Sequence, residues 1–433
     1  MAEIRPLRAW RYNRSLYSKI DELTAPLFDV VTEKQREKLY KIEFSSIHLS
    51  VPRSDNPAES ARETLAYWKK NNIIVQDNIP GIYVYYQYFS LPGSVNEICR
   101  KGFLCNIRLY EWEDNVILRH ESTKPSSILD RVENLEKTEL NISPTFGLYT
   151  DESFSLEGFM DEAISHPIYE TENYQGVKDV LAVIHDREVI KKFIATLSDK
   201  QVILADGHHR YESALIHKRN SHVKNPKDVN NQGYDFLLMY LTNSEADHVR
   251  ILPTHRLIIN VDDFDEQKTM DNLKIYFDIQ EVSDAFNINE VIVGKKWAYG
   301  LIFKDSAYKI QLKPGLIESI NWPFPEVISQ LDLTVAHYFI IEKCLGIKGK
   351  EQQDSKNILY ERNFSDCYAK VLKGEVQMAI IVNEIHIDEV KKVCYSGSTF
   401  PQKSTYFYPK VITGFLFNSI KNDEFKFPLN LRF

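Results

Sequence analysis

Residues 201–219 read QVILADGHHRYESALIHKR, and this stretch constrains the chain more than any other. The apolar run 202–205 stops at Asp206-Gly207-His208-His209-Arg210, and a helical pattern begins at Tyr211. A short apolar run bounded by glycine, followed by a helical period, predicts a buried strand, a tight turn and a helix start. Such a turn aims backbone N–H groups and cationic side chains at one point, which is a natural seat for phosphate.

The turn also concentrates chemistry. Asp206 can act as general base or orient a histidine. His208 and His209 can donate to phosphate oxygens, or one of them can attack phosphorus. Arg210 can grip phosphate in a bidentate fork, and Gly207 offers its amide. The plain alternative is a polar strand-to-helix turn with Asp206 as its cap. Two adjacent histidines between Asp and Arg weigh toward function.

Three other segments carry candidates. Residues 120–125 (HESTKP) place His120, Glu121, Thr123 and Lys124 in one short loop, with Glu121 a further catalytic candidate and the others phosphate or substrate ligands. Taken alone, this is an ordinary solvated loop. Residues 252–256 (LPTHR) offer His255 and Arg256 as added positive charge. Residues 400–410 (FPQKSTYFYPK) carry Lys403, Ser404 and Thr405 within an aromatic stretch; aromatic density of this kind more often signals packing. Asp206, His208, His209 and His120 have metal-binding atoms, but no recognised zinc spacing connects them. A Mg²⁺ ion at a phosphate site needs only one or two carboxylates and is compatible with the turn.

Composition excludes several classes. The formal net charge of −8 is spread over 433 residues. Duplex binding draws its affinity from a basic field, and no Lys/Arg-rich tail is present, so no nucleic-acid partner is expected. Five cysteines, an odd number without a CxxC pair, and an N-terminus lacking a leader pattern imply a reducing cytoplasm. No run approaches the ~18–20 apolar residues of a membrane helix.

Periodicity predicts strands at 44–51, 81–89, 102–110, 145–149, 180–184, 235–241, 257–261, 296–303, 307–312 and 376–382. It predicts helices at 56–70, 127–139, 186–198, 334–344 and 387–396. Hairpins mix irregularly with helices, so the expected class is α+β rather than doubly wound α/β. The expected division is a phosphate-binding catalytic core over 1–261 and an α+β region over 262–433 that returns Lys403-Ser404-Thr405 to the site.

With the Asp206–Arg210 turn, the sequence resembles a bacterial and archaeal family known as domain of unknown function 1015. The resemblance runs nearly end to end. It includes Ile4-Arg5-Pro6-Leu7-Arg8-Ala9-Trp10, the 120–125 loop with Asp130-Arg131, residues 205–215 and 252–257, Leu331-Asp332 with His337, and residues 401–414. The family is similar to the ParB/sulfiredoxin superfamily, which implies a ParB/sulfiredoxin-like core with mixed sheets. In sulfiredoxins a Gly-Gly-Cys-His-Arg turn cradles nucleotide phosphates, and His208 stands where their catalytic cysteine would be, so sulfiredoxin activity is not implied. A free-serine kinase of that superfamily carries a similar Asp-Gly-His turn.

The resemblance implies phosphoryl transfer on serine or O-phosphoserine, with a small phosphorylated metabolite as partner. Hydrolysis, as by a phosphoserine phosphatase, is the first expectation, because no Walker A motif or kinase signature is present. The alternatives are a serine kinase using ADP or ATP and a nucleotide-gated, ParB-like DNA-binding or scaffold protein.

Overall fold

The computed structural model describes residues 1–91, 94–121, 123, 125–173, 175–227, 231–352, 356–401 and 403–427, without the side chains of 125–127, 350 and 351. The chain is mixed α+β and divides into two compact units. The first comprises residues 1–119, 123–249 and 409–433; the second comprises 120–122 and 250–408. Residue 262, the boundary expected from composition, lies inside the second unit, just beyond strand His255–Ile258.

The first unit is built on a nine-stranded sheet. Its path runs Ile117–Arg119, Val202–Asp206, Thr145–Tyr149, Phe236–Asn243, Glu97–Arg108, Ile82–Ser90, Lys178–Ile184 and Tyr169–Glu172, with Ile4–Arg5 also paired to Glu97–Arg108. Two pairings are parallel, Val202–Asp206 with Ile117–Arg119 and Phe236–Asn243 with Thr145–Tyr149; the others are antiparallel. The continuous apolar run at 236–241 is the central strand it resembles, with every residue of Phe236–Asn243 buried.

The helices form where capping and period agree. Pro57–Lys70 starts at Asn56, whose side chain accepts from the Glu59 amide, and it buries Ala58, Ala61, Leu65 and Trp68 at helical spacing. Arg187–Leu197 starts at Asp186, which caps Val189. One expectation fails. Residues 44–51 alternate like a strand, yet they form a turn and the short helix Ile47–Ser50. Ser46 Oγ there donates to Thr413 O at 3.1 Å, and the Ser46 amide donates to Leu23 O. Serines that satisfy long-range backbone acceptors override a period carried by only a few apolar residues.

The second unit holds a six-stranded antiparallel sheet in the order Phe277–Glu281, Ala307–Leu312, Ala298–Ile302, Met378–Ile381, His255–Ile258 and Ile358–Glu361. Ile258 and Ile380 on one face pack with Leu333, Phe339 and Ile340, whereas Leu257 and Ile381 on the other face pack with Ile288 and Cys367. The expected helix at 334–344 is present but changes winding: Asp332–Val335 is α-helical and Ala336–Cys344 continues as a π-helix. Among the described residues no helix is long and apolar enough to cross a membrane.

Candidate functional site

The strand Val202–Asp206 runs directly into the helix His208–Lys224 through Gly207. Gly207 has φ +91°, a left-handed conformation. A Cβ there would lie 2.9 Å from Thr145 Cγ2 and 3.1 Å from Arg210 Cζ. Conformation and space both demand glycine at this point. No side chain caps the helix that follows, so its N-terminal dipole faces the turn uncovered by a side-chain acceptor.

Asp206 is the electrostatic centre of the turn. Its Oδ2 accepts from Arg210 Nη2 at 2.6 Å, and its Oδ1 accepts from Lys410 Nζ. Burial alone would raise its pKa. The charges of Lys410 and Arg210, with His208 adding to them, outweigh burial and hold the carboxyl well below its usual range. Arg210 is 9% exposed, and its Nη1 donates to Pro144 O. Both ends of the guanidinium fork are thus engaged by the protein. Arg210 also lines a cleft of about 50 Å³ with Ser50, Arg131, Asn134, Ser143 and Ser213. His208 is buried and His209 is half-buried, with His209 O accepting from Ser213 Oγ at 2.6 Å.

Lys410 was not among the residues singled out from sequence. A wholly buried polar network holds its backbone. Gln87 Nε2 donates to Lys410 O at 3.2 Å, Arg100 donates to Pro409 O, and the Ile412 amide donates to Tyr85 Oη at 3.4 Å. Tyr85 and Gln87 in turn both donate to Asp179 Oδ1, at 2.5 and 2.7 Å. Burial pushes the Asp179 carboxyl up to about 7, against the opposing hydrogen bonds from Tyr85 and Gln87 and the charge of Arg100. The network therefore fixes the segment that delivers Lys410 to Asp206. Lys410 lies within the 400–410 segment and the 401–414 resemblance, as the one lysine of the aromatic and aliphatic run 406–412.

In the second unit, His120 and Glu121 meet the segment 400–405. His120 Nε2 lies 2.7 Å from Thr405 Oγ1, and His120 O accepts from the Phe400 amide at 2.8 Å. The Lys403 amide donates to Glu121 Oε1 at 3.5 Å, and Ser404 Oγ donates to Pro401 O at 2.5 Å. The Lys403 side chain is exposed and its backbone is left-handed, with φ +58°. Thr123 lies in the first unit, and Lys124 falls outside the described residues.

His255 and Arg256 also belong to the second unit, on strand His255–Ile258. His255 Nδ1 accepts from the Val382 amide at 3.3 Å, and burial lowers its pKa to about 4, helped by the Arg256 charge. Arg256 Nε donates to His337 Nε2 at 3.1 Å. Among the described residues no three histidines, cysteines, aspartates or glutamates converge to hold a metal ion.

The family comparison covers the Asp206–Arg210 turn and leaves Lys410 outside it. The model for the family described as Protein of unknown function (DUF1015) matches residues 4–334. The chain belongs to this family. No curated protein matches it. Solved structures similar to it include a conserved hypothetical protein from Pyrococcus furiosus, at 14% identity and TM-score 0.36, covering 75% of this chain and 97% of that one. A free serine kinase in complex with AMP is similar at 12% identity and TM-score 0.37, covering 75% and 93%. C-terminally truncated SbnI from Staphylococcus aureus is similar at 13% identity and TM-score 0.36, covering 74% and 90%.

Proposed function

We propose that this member of the family transfers a phosphoryl group from a nucleotide to the hydroxyl of a small amino acid of the serine class, on a ParB/sulfiredoxin-like core. The observation that carries the reading is the state of Asp206. An aspartyl phosphatase needs a carboxylate oxygen free to attack phosphorus. Here one oxygen is held by Lys410 and the other by Arg210. The carboxylate serves to orient two cations at an uncapped helix start, an arrangement suited to positioning and charge neutralisation. Those are the terms that dominate phosphoryl transfer between bound substrates. The ion pairs make Asp206 an orienting group and so weigh against hydrolysis through an aspartyl-phosphate, while they suit transfer between bound substrates. The serine class follows from the resemblance of Asp206-Gly207-His208 to the turn of the superfamily's free-serine kinase.

In this reading Gly207, Lys410 and Arg210 border the phosphate seat. His208 takes the proton from the attacking hydroxyl as the new O–P bond forms and the bond to the leaving nucleotide breaks. Any Mg²⁺ would arrive on the nucleotide phosphates, which need few protein carboxylates, because Asp206 has both oxygens engaged.

The test is ³¹P NMR of the full chain with serine and either ATP or ADP, beside O-phosphoserine alone. Phosphoserine formation that requires both serine and nucleotide is the expected result. Phosphate release from O-phosphoserine without nucleotide would establish hydrolysis instead. No turnover in any arm would overturn both.

A further inference from the structure

The second unit buries a cation that its described residues do not neutralise. Arg256 is 0% exposed. It faces Tyr360 directly across the antiparallel pair, with the guanidinium 5.5 Å from that ring. Nε donates to His337 and Nη1 donates to Thr254 O. Nη2 is buried and has no hydrogen-bond partner. Among the described residues no carboxylate forms an ion pair with it, and its electrostatic neighbours are Tyr360 and Tyr299. Burial lowers its pKa to about 10, so it remains charged at neutral pH. Buried charges are ordinarily paired, because desolvation is repaid only by a counter-charge.

The helix above supplies a second donor. Arg256 shares its sheet face with Ile258, which packs against the helix containing Leu333 and Ala336. His337 reaches Arg256 from that helix. Its Nδ1 faces Gln352 Oε1 at 2.7 Å while its Nε2 accepts from Arg256, so the ring is neutral with its proton on Nδ1. Thr334 stands one turn earlier, three residues before His337 on the same helical face. It is 6% exposed, and its Oγ1 also has no hydrogen-bond partner. His337 is the second residue of the π-wound stretch Ala336–Cys344, a winding that is rare and concentrates at functional positions.

We propose that Arg256 Nη2 and Thr334 Oγ1 receive a small oxyanion, a carboxylate or a phosphate, in the second unit. Both donors would pair with the ligand's oxygens, and the ligand would supply the missing counter-charge. The site goes beyond the phosphoryl-transfer reading and does not rest on it.

Thermal unfolding of the full chain at constant ionic strength, in inorganic phosphate, acetate or chloride, tests the proposal. Binding to the native state makes the midpoint climb with the logarithm of ligand concentration. The expected result is such a climb in phosphate or acetate, with the more potent anion identifying the source. It should persist in Lys410→Met, which alters the turn of the first unit, and vanish in Arg256→Met. Thr334→Val should weaken the apparent affinity about tenfold, the worth of one hydrogen bond. An equal climb in chloride would overturn the oxyanion class. No climb in the wild-type chain, or an undiminished one in Arg256→Met, would overturn the site. Should Arg256→Met not fold, ¹⁵N imidazole resonances decide. His337, assigned through His337→Gln, should shift on titration in the wild-type chain, and an unmoved signal would overturn the proposal.

Discussion

Each unit buries charge, and the two do it in opposite ways. In the first, Asp206 sits between two cations, Lys410 and Arg210, and Arg210 also donates to Pro144 O. In the second, Arg256 has one imidazole, one carbonyl and no carboxylate among the described residues. Removing a member of a paired cluster strands its partners, whereas removing an unpaired charge relieves a burial cost. The same class of substitution should therefore cost much more in the first unit than in the second.

The largest effect is expected at Asp206. Asp206→Asn keeps the shape but removes the carboxylate that Lys410 and Arg210 both pair with, and breaking a buried ionic cluster costs ~3–5 kcal/mol. Loss of the charge that orients the seat should also slow phosphoryl transfer ~10²–10⁴-fold. Denaturant unfolding measures the first effect and ³¹P NMR the second. Wild-type stability in this variant would mean that the cluster adds nothing, and the contrast between the units would fail.

Next is the response to pH. Asp179 has a folded pKa near 7 against an ordinary value of 3.8. Its stabilising contribution is complete below about pH 4 and is lost as pH rises to about 7. His255 runs the other way. Its folded pKa near 4 lies below the ordinary 6.5, so its contribution is complete above about pH 6.5 and is lost as pH falls toward 4. His337, lowered to about 3 by burial and the Arg256 charge, acts in the same sense as His255. A tenfold change in proton affinity between folded and unfolded chain corresponds to about 1.4 kcal/mol, so each group is worth ~3–5 kcal/mol. Acidification from pH 7 to 4.5 should thus protect amides around Asp179 and deprotect those around His255. Hydrogen exchange, corrected for intrinsic rates, reads both in one sample. Asp179→Asn should remove the first trend and spare the second. Parallel trends in both regions would break the comparison.

Arg210→Lys probes a smaller quantity. An ammonium cannot reach both Asp206 and Pro144 O with the geometry of a planar fork. One charge-assisted bond should be lost, ~1.5–3 kcal/mol, with Lys410 still neutralising Asp206. Chemical denaturation measures it, and a loss equal to that of Asp206→Asn would show that Lys410 contributes no compensation.

What was legible in the chain follows the same division. The Asp206–Arg210 turn could be read because strand, glycine and helix start are contiguous, and the helices after Asn56 and Asp186 could be read because caps and apolar period lie within a few residues. The partners of the turn could not. Lys410 reaches Asp206 across 204 positions, and Gln87, Arg100 and Asp179 converge from three strands. No local pattern encodes a contact of that separation. His255 and Arg256 are adjacent, yet they face opposite sides of one strand, so reading them as a pair concealed that only Arg256 meets His337. The π-winding after Val335 left no trace in an apolar period that fits an α-helix equally well.

The smallest effect is the most discriminating. Arg256→Met in a buffer free of oxyanions removes a buried guanidinium whose desolvation costs several kcal/mol. It also orphans two acceptors, Thr254 O and His337 Nε2, at ~1–3 kcal/mol each. These terms oppose one another and are of similar size. The methionine side chain fills most of the volume of the arginine stem, so no large cavity term enters. Stability should therefore change by less than ~1 kcal/mol, against the several lost at Asp206. Equilibrium denaturation of both variants under one set of conditions makes the comparison direct. A loss at Arg256 as large as that at Asp206 would mean the guanidinium is already well compensated inside the second unit. The two units would then differ in sign of charge only, and not in how they neutralise it.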